Sequence, residues 1–147
     1  MTLEIVRPER FFEHRFGMTA SALERALGQV LGRRVDYADL YFEYRTSEGL
    51  SLEEGLVKQA ARQVHQGVGV RVTADERTGY AYSDEITVER LAVAASRARY
   101  IAAEAGQPAA VAVGAGGRPH DLYPVGVPPT EVPVEAKVDL LNRIDRI

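Results

Sequence analysis

Residues 67–84 read GVGVRVTADERTGYAYSD, two alternating runs joined by a polar turn. Val68, Val70 and Val72 fall on one side of the first run. Gly67, Gly69, Arg71 and Thr73 fall on the other. A period of two with one apolar face is the pattern of a half-buried strand. Asp75-Glu76-Arg77 supplies the turn, and residues 78–84 run back with Tyr80 and Tyr82 on a common face. Glycine inside a strand gives up packing, so Gly67 and Gly69 predict a close approach to the backbone by a helix or a ligand.

Working outward, YADLYFEYR at residues 37–45 alternates as cleanly, with Ala38, Leu40, Phe42 and Tyr44 opposite Tyr37, Asp39, Tyr41, Glu43 and Arg45. Leu50 and Leu52 predict a short second strand, Glu53-Glu54-Gly55 a turn, and residues 56–65 a third strand. The third alternates poorly, which suits an edge or a stretch reaching beyond the core. Two main helices flank these strands. Ser21 and Glu24 have capping-box spacing ahead of the stripe Leu23, Ala26, Leu27, Val30, Leu31, which ends at Gly32 and a cationic Arg33-Arg34 pair. The second opens near Thr87, after the carboxylates of Ser83-Asp84-Glu85. It carries Val88, Leu91, Ala95, Ala98, Ile101 and Ala102, and stops at Gly106 and Pro108. The fold class expected is α+β: an antiparallel or mixed curved sheet of about five strands packed with two main helices.

Residues 1–18 read as a loosely structured lead-in whose Phe11, Phe12 and Phe16 anchor it to the domain's own core, in preference to another subunit. Residues 19–105 form the α+β domain. Residues 106–130, with five glycines and five prolines, form a linker. Residues 131–147 open a third helix at Pro133, with Val134, Val138, Leu141 and Ile144 in line. That stripe runs to the last residue, so a truncated helix and further protein beyond it are expected.

The composition is that of a globular protein, with 46% hydrophobic and 27% charged residues. A net charge of -3 lacks the basic surplus that phosphate neutralisation calls for, so nucleic acid is not the expected partner. The chain has no cysteine, which excludes disulfides and thiolate chemistry within it. The N-terminus lacks a signal-like apolar run and no stretch is long enough to span a bilayer, so a cytoplasmic location and no membrane partner are expected.

No complete catalytic constellation is visible. His14, His65 and His120 have no metal-pair spacing and read as surface residues. Ser83 lacks the flanking glycines of a nucleophile elbow. Glu53-Glu54 reads as a solvated turn pair. The clusters Gly67-x-Gly69 and Gly114-Ala115-Gly116-Gly117 do not open a helix, as a phosphate loop must.

Four motifs in order carry a resemblance. They are DYADLYFE at Asp36–Glu43, E-x-G-x-V-K at Glu53–Lys58, QGVGVR at Gln66–Arg71 and TGYAYSDE at Thr78–Glu85. Together they resemble the N-terminal domain of the TldD/PmbA family of metallopeptidases, in wording closer to the TldD branch. The resemblance implies an α+β front domain followed by a mostly β domain bearing His-Glu-x-x-x-His, which binds zinc and activates water. That motif is absent from these 147 residues, so no catalytic or metal residue carries over. The resemblance further implies a homologous partner subunit, in a homodimer or in a heterodimer with a PmbA/TldE-like protein. It also implies unfolded or short peptide substrates, and a front domain that walls the substrate chamber and holds the partner. The alternative is a non-enzymatic partner or peptide-binding module without metal ligands. Arg71, Tyr80 and Tyr82 are the candidate chamber or interface residues, against a competing reading in which the tyrosines pack in the core.

Overall fold

The computed structural model describes residues 8–32, 34–103, 111–114 and 126–146. In chain order these form helices α1 (Pro8–Phe16) and α2 (Ala20–Val30), then strands β1 (Tyr37–Glu53), β2 (Leu56–Ala74) and β3 (Arg77–Ser83). Helix α3 (Val88–Ala103), a 3-10 turn at Pro129–Glu131 and helix α4 (Val134–Asp145) complete the set. The class is α+β, and the sheet is antiparallel with order β1-β2-β3.

The sheet therefore has three strands among the described residues, where about five were expected. The expected breaks near Gly49 and Gln66 do not occur. Neither Gly49 nor Gly67 takes a positive φ, and the chain runs extended through both. The turns that do form use left-handed residues. Glu54 and Gly55 have φ 52 and 73, the signs a type I′ hairpin loop requires, and Asp75 has φ 51 in the next turn.

The chain divides into two compact units. One comprises residues 6–43 and 66–119 and holds the hydrophobic core. Val68, Val70, Val72 and Ala74 of β2 are buried against Leu91, Ala94, Ala95, Ala98 and Ala102 of α3 and Ala26 and Val30 of α2. Ala38, Leu40 and Phe42 of β1 pack partly buried on the same cluster, as the alternation predicts. Alanines let α3 come close to the sheet, and Gly79 of β3 lies at a point of tight contact. A Cβ there would lie 1.9 Å from the Ala98 carbonyl oxygen. Ile101, expected on the buried stripe of α3, is instead 54% exposed, and Ala94 takes a place on it.

The lead-in is more regular than expected. Residues 8–16 are helical, and Phe12 and Phe16 pack on the domain's own core, with the Phe12 ring 5.5 Å from that of Phe42. Helix α2 is capped by Thr19, whose hydroxyl accepts from Ala22 N at 3.3 Å, and not by Ser21. Its other end is held by Arg99, 5% exposed, whose Nη1 donates to the Gln29 carbonyl at 2.6 Å. A cation at a helix C-terminus satisfies carbonyls that have no intrahelical partner. Arg34 lies in the loop beyond α2 with φ 75, and Arg33 lies outside the described residues. The expected stop of α3 at Gly106 and Pro108, and most of the 106–130 linker, likewise lie outside them.

The second unit comprises residues 1–5, 44–65 and 120–147. Its described part is the outer half of the β1–β2 hairpin with the 3-10 turn and α4. Every residue from Leu56 to His65 is exposed, which explains the weak alternation of that stretch: neither face meets a core. Helix α4 is tied to the hairpin by Lys137, which pairs with Glu48, and by Asp145, whose Oδ2 accepts from Gly55 N at 3.0 Å. The Lys137 hydrogen bond holds the Glu48 carboxyl below its ordinary range.

Candidate functional site

Register decides which side chains share the open face of the sheet. Arg71 opposes Tyr80 and Gly69 opposes Tyr82, and directly opposed residues of an antiparallel pair project to the same side. The valines of β2 occupy the other side, so all three sequence candidates lie together, away from the core. Tyr80 is 55% exposed and Tyr82 is 73% exposed, which overturns the reading that they pack in the core. Alternation along β1 adds Tyr37, Asp39, Tyr41 and Glu43 to the same face.

Two groupings make up the face. In the first, Arg71 Nε donates to Asp39 Oδ1 at 3.2 Å and Nη2 to Oδ2, a two-point contact matched to the guanidinium fork. The guanidinium lies 5.7 Å from the Tyr37 ring centroid, and Tyr37 donates its hydroxyl to Asp39 at 3.3 Å. The Asp39 hydrogen bond raises the Arg71 pKa, so the group stays cationic at every accessible pH. In the second, the Tyr80 and Tyr82 rings stack with centroids 6.3 Å apart and planes at 24°. Tyr41 donates its hydroxyl to Glu43 Oε2 at 3.3 Å, and the Glu43 charge raises the Tyr41 pKa.

The strand glycines now have a cause. A Cβ on Gly69 would lie 2.7 Å from the Tyr80 hydroxyl, so this glycine lets Tyr80 lie across β2. A Cβ on Gly67 would lie 3.0 Å from the Ser83 carbonyl. Close approach was the correct expectation for both, but the approaching groups are a tyrosine and a strand carbonyl. The tight contact with a helix belongs to Gly79.

The matches with known proteins fall on these same elements. The PmbA/TldA metallopeptidase domain 1 matches residues 38–102, which run from the start of β1 nearly to the end of α3. A Metalloprotease TldD homolog of Haemophilus influenzae is 36% identical over 118 residues, covering 78% of this chain and 24% of that protein. Homologs bearing the same name are 40% identical over 67 residues in Buchnera aphidicola subsp. Schizaphis graminum and 37% identical over 76 residues in Buchnera aphidicola subsp. Acyrthosiphon pisum. These cover 46% of this chain and 14% of the relative, and 52% and 16%, respectively. The chain carries an N-terminal domain of the TldD/PmbA family. It spans about a quarter of the Haemophilus relative's length.

The described part of this TldD/PmbA domain does not fit a metal. Among the described residues no three His, Cys, Asp or Glu side chains converge on a point that could hold an ion. His14 is exposed on α1, His65 is exposed on β2, and His120 lies outside the described residues. The Ser83 hydroxyl accepts from Glu85 N at 3.1 Å, a local side-chain-to-backbone contact in the turn ahead of α3. Thr87 caps α3 by accepting from Arg90 N at 3.1 Å, and Glu85 pairs with Arg90 at 2.7 Å, in keeping with acids placed ahead of that helix. No described helix is long and apolar enough to cross a membrane.

Sequence reasoning found Arg71, Tyr80 and Tyr82 but did not single out Tyr37, Asp39, Tyr41 and Glu43. The signal was present. Aromatic and charged residues alternate on the solvent side of β1, where small polar residues are sufficient.

Proposed function

We propose that this chain is the non-catalytic front domain of a TldD-like zinc metallopeptidase subunit that processes unfolded peptides in the cytoplasm. In this reading the domain helps form a dimer with a homologous subunit and helps wall the substrate chamber. The observation that carries the reading is the family match over residues 38–102, coincident with the sheet and α3. The open face bearing Arg71, Tyr80 and Tyr82 is the part of this domain best suited to line the chamber or meet the partner. Tyrosine and arginine supply large contact area together with hydrogen bonding, and both are enriched where proteins meet ligands. Zinc and its ligands would belong to protein outside this chain, and none of the described residues takes part in a step through the metal.

The test measures zinc content and cleavage of an unfolded peptide for the 147-residue chain and for the full-length protein containing it, with and without a homologous subunit. Zinc and cleavage confined to the longer protein are the expected result. Stoichiometric zinc or cleavage by residues 1–147 alone would overturn the non-catalytic assignment. Neither activity in any combination would put a non-enzymatic partner subunit in its place.

A further inference from the structure

Strand β2 changes its standing along its length. From Val68 to Ala74 it lies inside the sheet, with β1 on one side and β3 on the other, and its pairing with β3 begins at Val68 opposite Ser83. From Leu56 to His65 it continues extended, but among the described residues β1 alone lies beside it in the sheet. Every one of these residues is exposed, so neither face is held by a core. A two-stranded ribbon is marginal on its own and gains stability from a third strand. The free edge presents a row of backbone N–H and C=O groups, which is a template for another extended chain.

A second copy suits this edge through the sequence VKQAARQV at residues 57–64. Two antiparallel copies related by a two-fold axis normal to the sheet keep each residue on its own face. One position then meets itself, and the others pair across it. The basic residues decide between registers, because like charges directly opposed destabilise a ladder. Centring on Ala60 sets Lys58 against Arg62, and centring on Lys58 or Arg62 sets that residue against itself. Centring on Ala61 opposes no like charges and pairs the whole of residues 57–65. It sets Lys58 against Val64 and Arg62 against Ala60, and Gln59 against Gln63, whose amides both donate and accept. Arg62 also has Glu48 of its own hairpin at 3.6 Å.

From this we infer that the outer arm of β2, residues 57–65, is an interface between two copies of this chain, joined edge to edge as antiparallel strands centred on Ala61. Lys58 and Arg62 set the register by opposing the alternatives, which is how charged residues keep a sheet edge from pairing indiscriminately. The inference deepens the proposed dimer by assigning the segment through which the subunits join. It rests on that reading only in taking the partner to be another chain of the same kind.

The experiment uses the full 147-residue chain, which has no cysteine of its own. Sedimentation across a concentration series gives the dimerisation constant. Under mild oxidation Ala61→Cys is expected to cross-link two copies. Lys58→Cys is not, because the two thiols would lie roughly 20 Å apart at about 3.4 Å per residue. Paired charges read the register without a covalent bond. Gln59→Lys combined with Gln63→Lys opposes like charges at two symmetric places and is expected to weaken dimerisation about tenfold. Gln59→Glu combined with Gln63→Lys opposes unlike charges and is expected to strengthen it by a similar factor. Both positions are exposed, and circular dichroism checks that the fold is kept. If one double variant does not fold, the other and the cross-link decide. A chain that stays monomeric throughout the series overturns the inference, as does a dimer that neither cross-links at Ala61→Cys nor responds to the charges. So does a monomer whose Ala61→Cys thiol is shielded by an added unfolded peptide, since the edge would then take a peptide and not a second copy. If the full-length protein pairs with a homologous subunit and these substitutions leave that pairing unchanged, this inference fails and the proposed dimer stands.

Discussion

Single residues set the tolerances of this domain. Gly79 is the extreme case, because the atoms that a Cβ would meet belong to the backbone of α3 and cannot rotate away. Gly79→Ala is expected to cost ~3 kcal/mol, either by pushing α3 off the sheet or by straining both. Urea unfolding followed by circular dichroism would measure it. Arg99 is the counterpart among polar residues. Arg99→Met keeps most of the buried volume but leaves the Gln29 carbonyl without its donor, at a cost of ~2 kcal/mol by the same measurement. Sequence reasoning could not see either residue. Gly79 lies unremarked within the run 78–84, and Arg99 lies off the apolar stripe expected of the second main helix. Their importance comes from atoms brought close by packing between segments, which no local pattern encodes. The faces of the strands were legible because alternation is local. For that reason the sequence places Arg71 opposite the valines and Tyr80 with Tyr82 on a common face, whereas the β2–β3 register, which no local pattern encodes, decides that the tyrosines share the Arg71 side and not the core.

At the scale of elements, the β1–β2 hairpin depends on its loop and on α4. The loop Glu54-Gly55 puts a glutamate where asparagine is favoured, since both positions have positive φ. Glu54→Asn is expected to stabilise the hairpin by ~0.5 kcal/mol, whereas Gly55→Ala should weaken it by about 1 kcal/mol. Melting temperatures of the two variants should move in opposite directions. The contact of α4 with the hairpin should respond to acid. The Glu48 pKa is lowered from 4.5 by Lys137, so the stability it contributes is present above pH 4.5 and is lost as pH falls through the lower folded value. Carboxyl carbon shifts should therefore show Glu48 titrating below 4.5, and Lys137→Met should return it towards that value. Strand number was misjudged at this scale. Thr46, Ser47, Glu48 and Gly49 have turn composition, yet composition states only what a segment tolerates, and cross-strand hydrogen bonds held it extended.

At the scale of the whole molecule, burial is divided unevenly along one strand. From Val68 to Ala74, β2 buries alternate side chains in the core, whereas from Leu56 to His65 it buries none. Amide hydrogen exchange should follow that division. Val70 and Val72 should exchange about a hundredfold or more slowly than the amides of residues 57–64, because the former open only when the core opens. Comparable rates along all of β2 would mean that the outer hairpin is stabilised to the same degree as the core. Division of labour along one continuous strand also bears on how such a domain can change over generations. An antiparallel ladder repeats every two residues, so the pleat transmits parity from the loop to the core. A single-residue insertion in the outer arm must be absorbed there as a bulge, or it would turn Val68, Val70 and Val72 to the solvent and Arg71 to the inside. Insertions of two residues in each arm carry no such penalty. The hairpin tip is thus the place where members of this lineage can gain or lose reach in matched steps, while the tyrosine face and the alanine seam keep their positions.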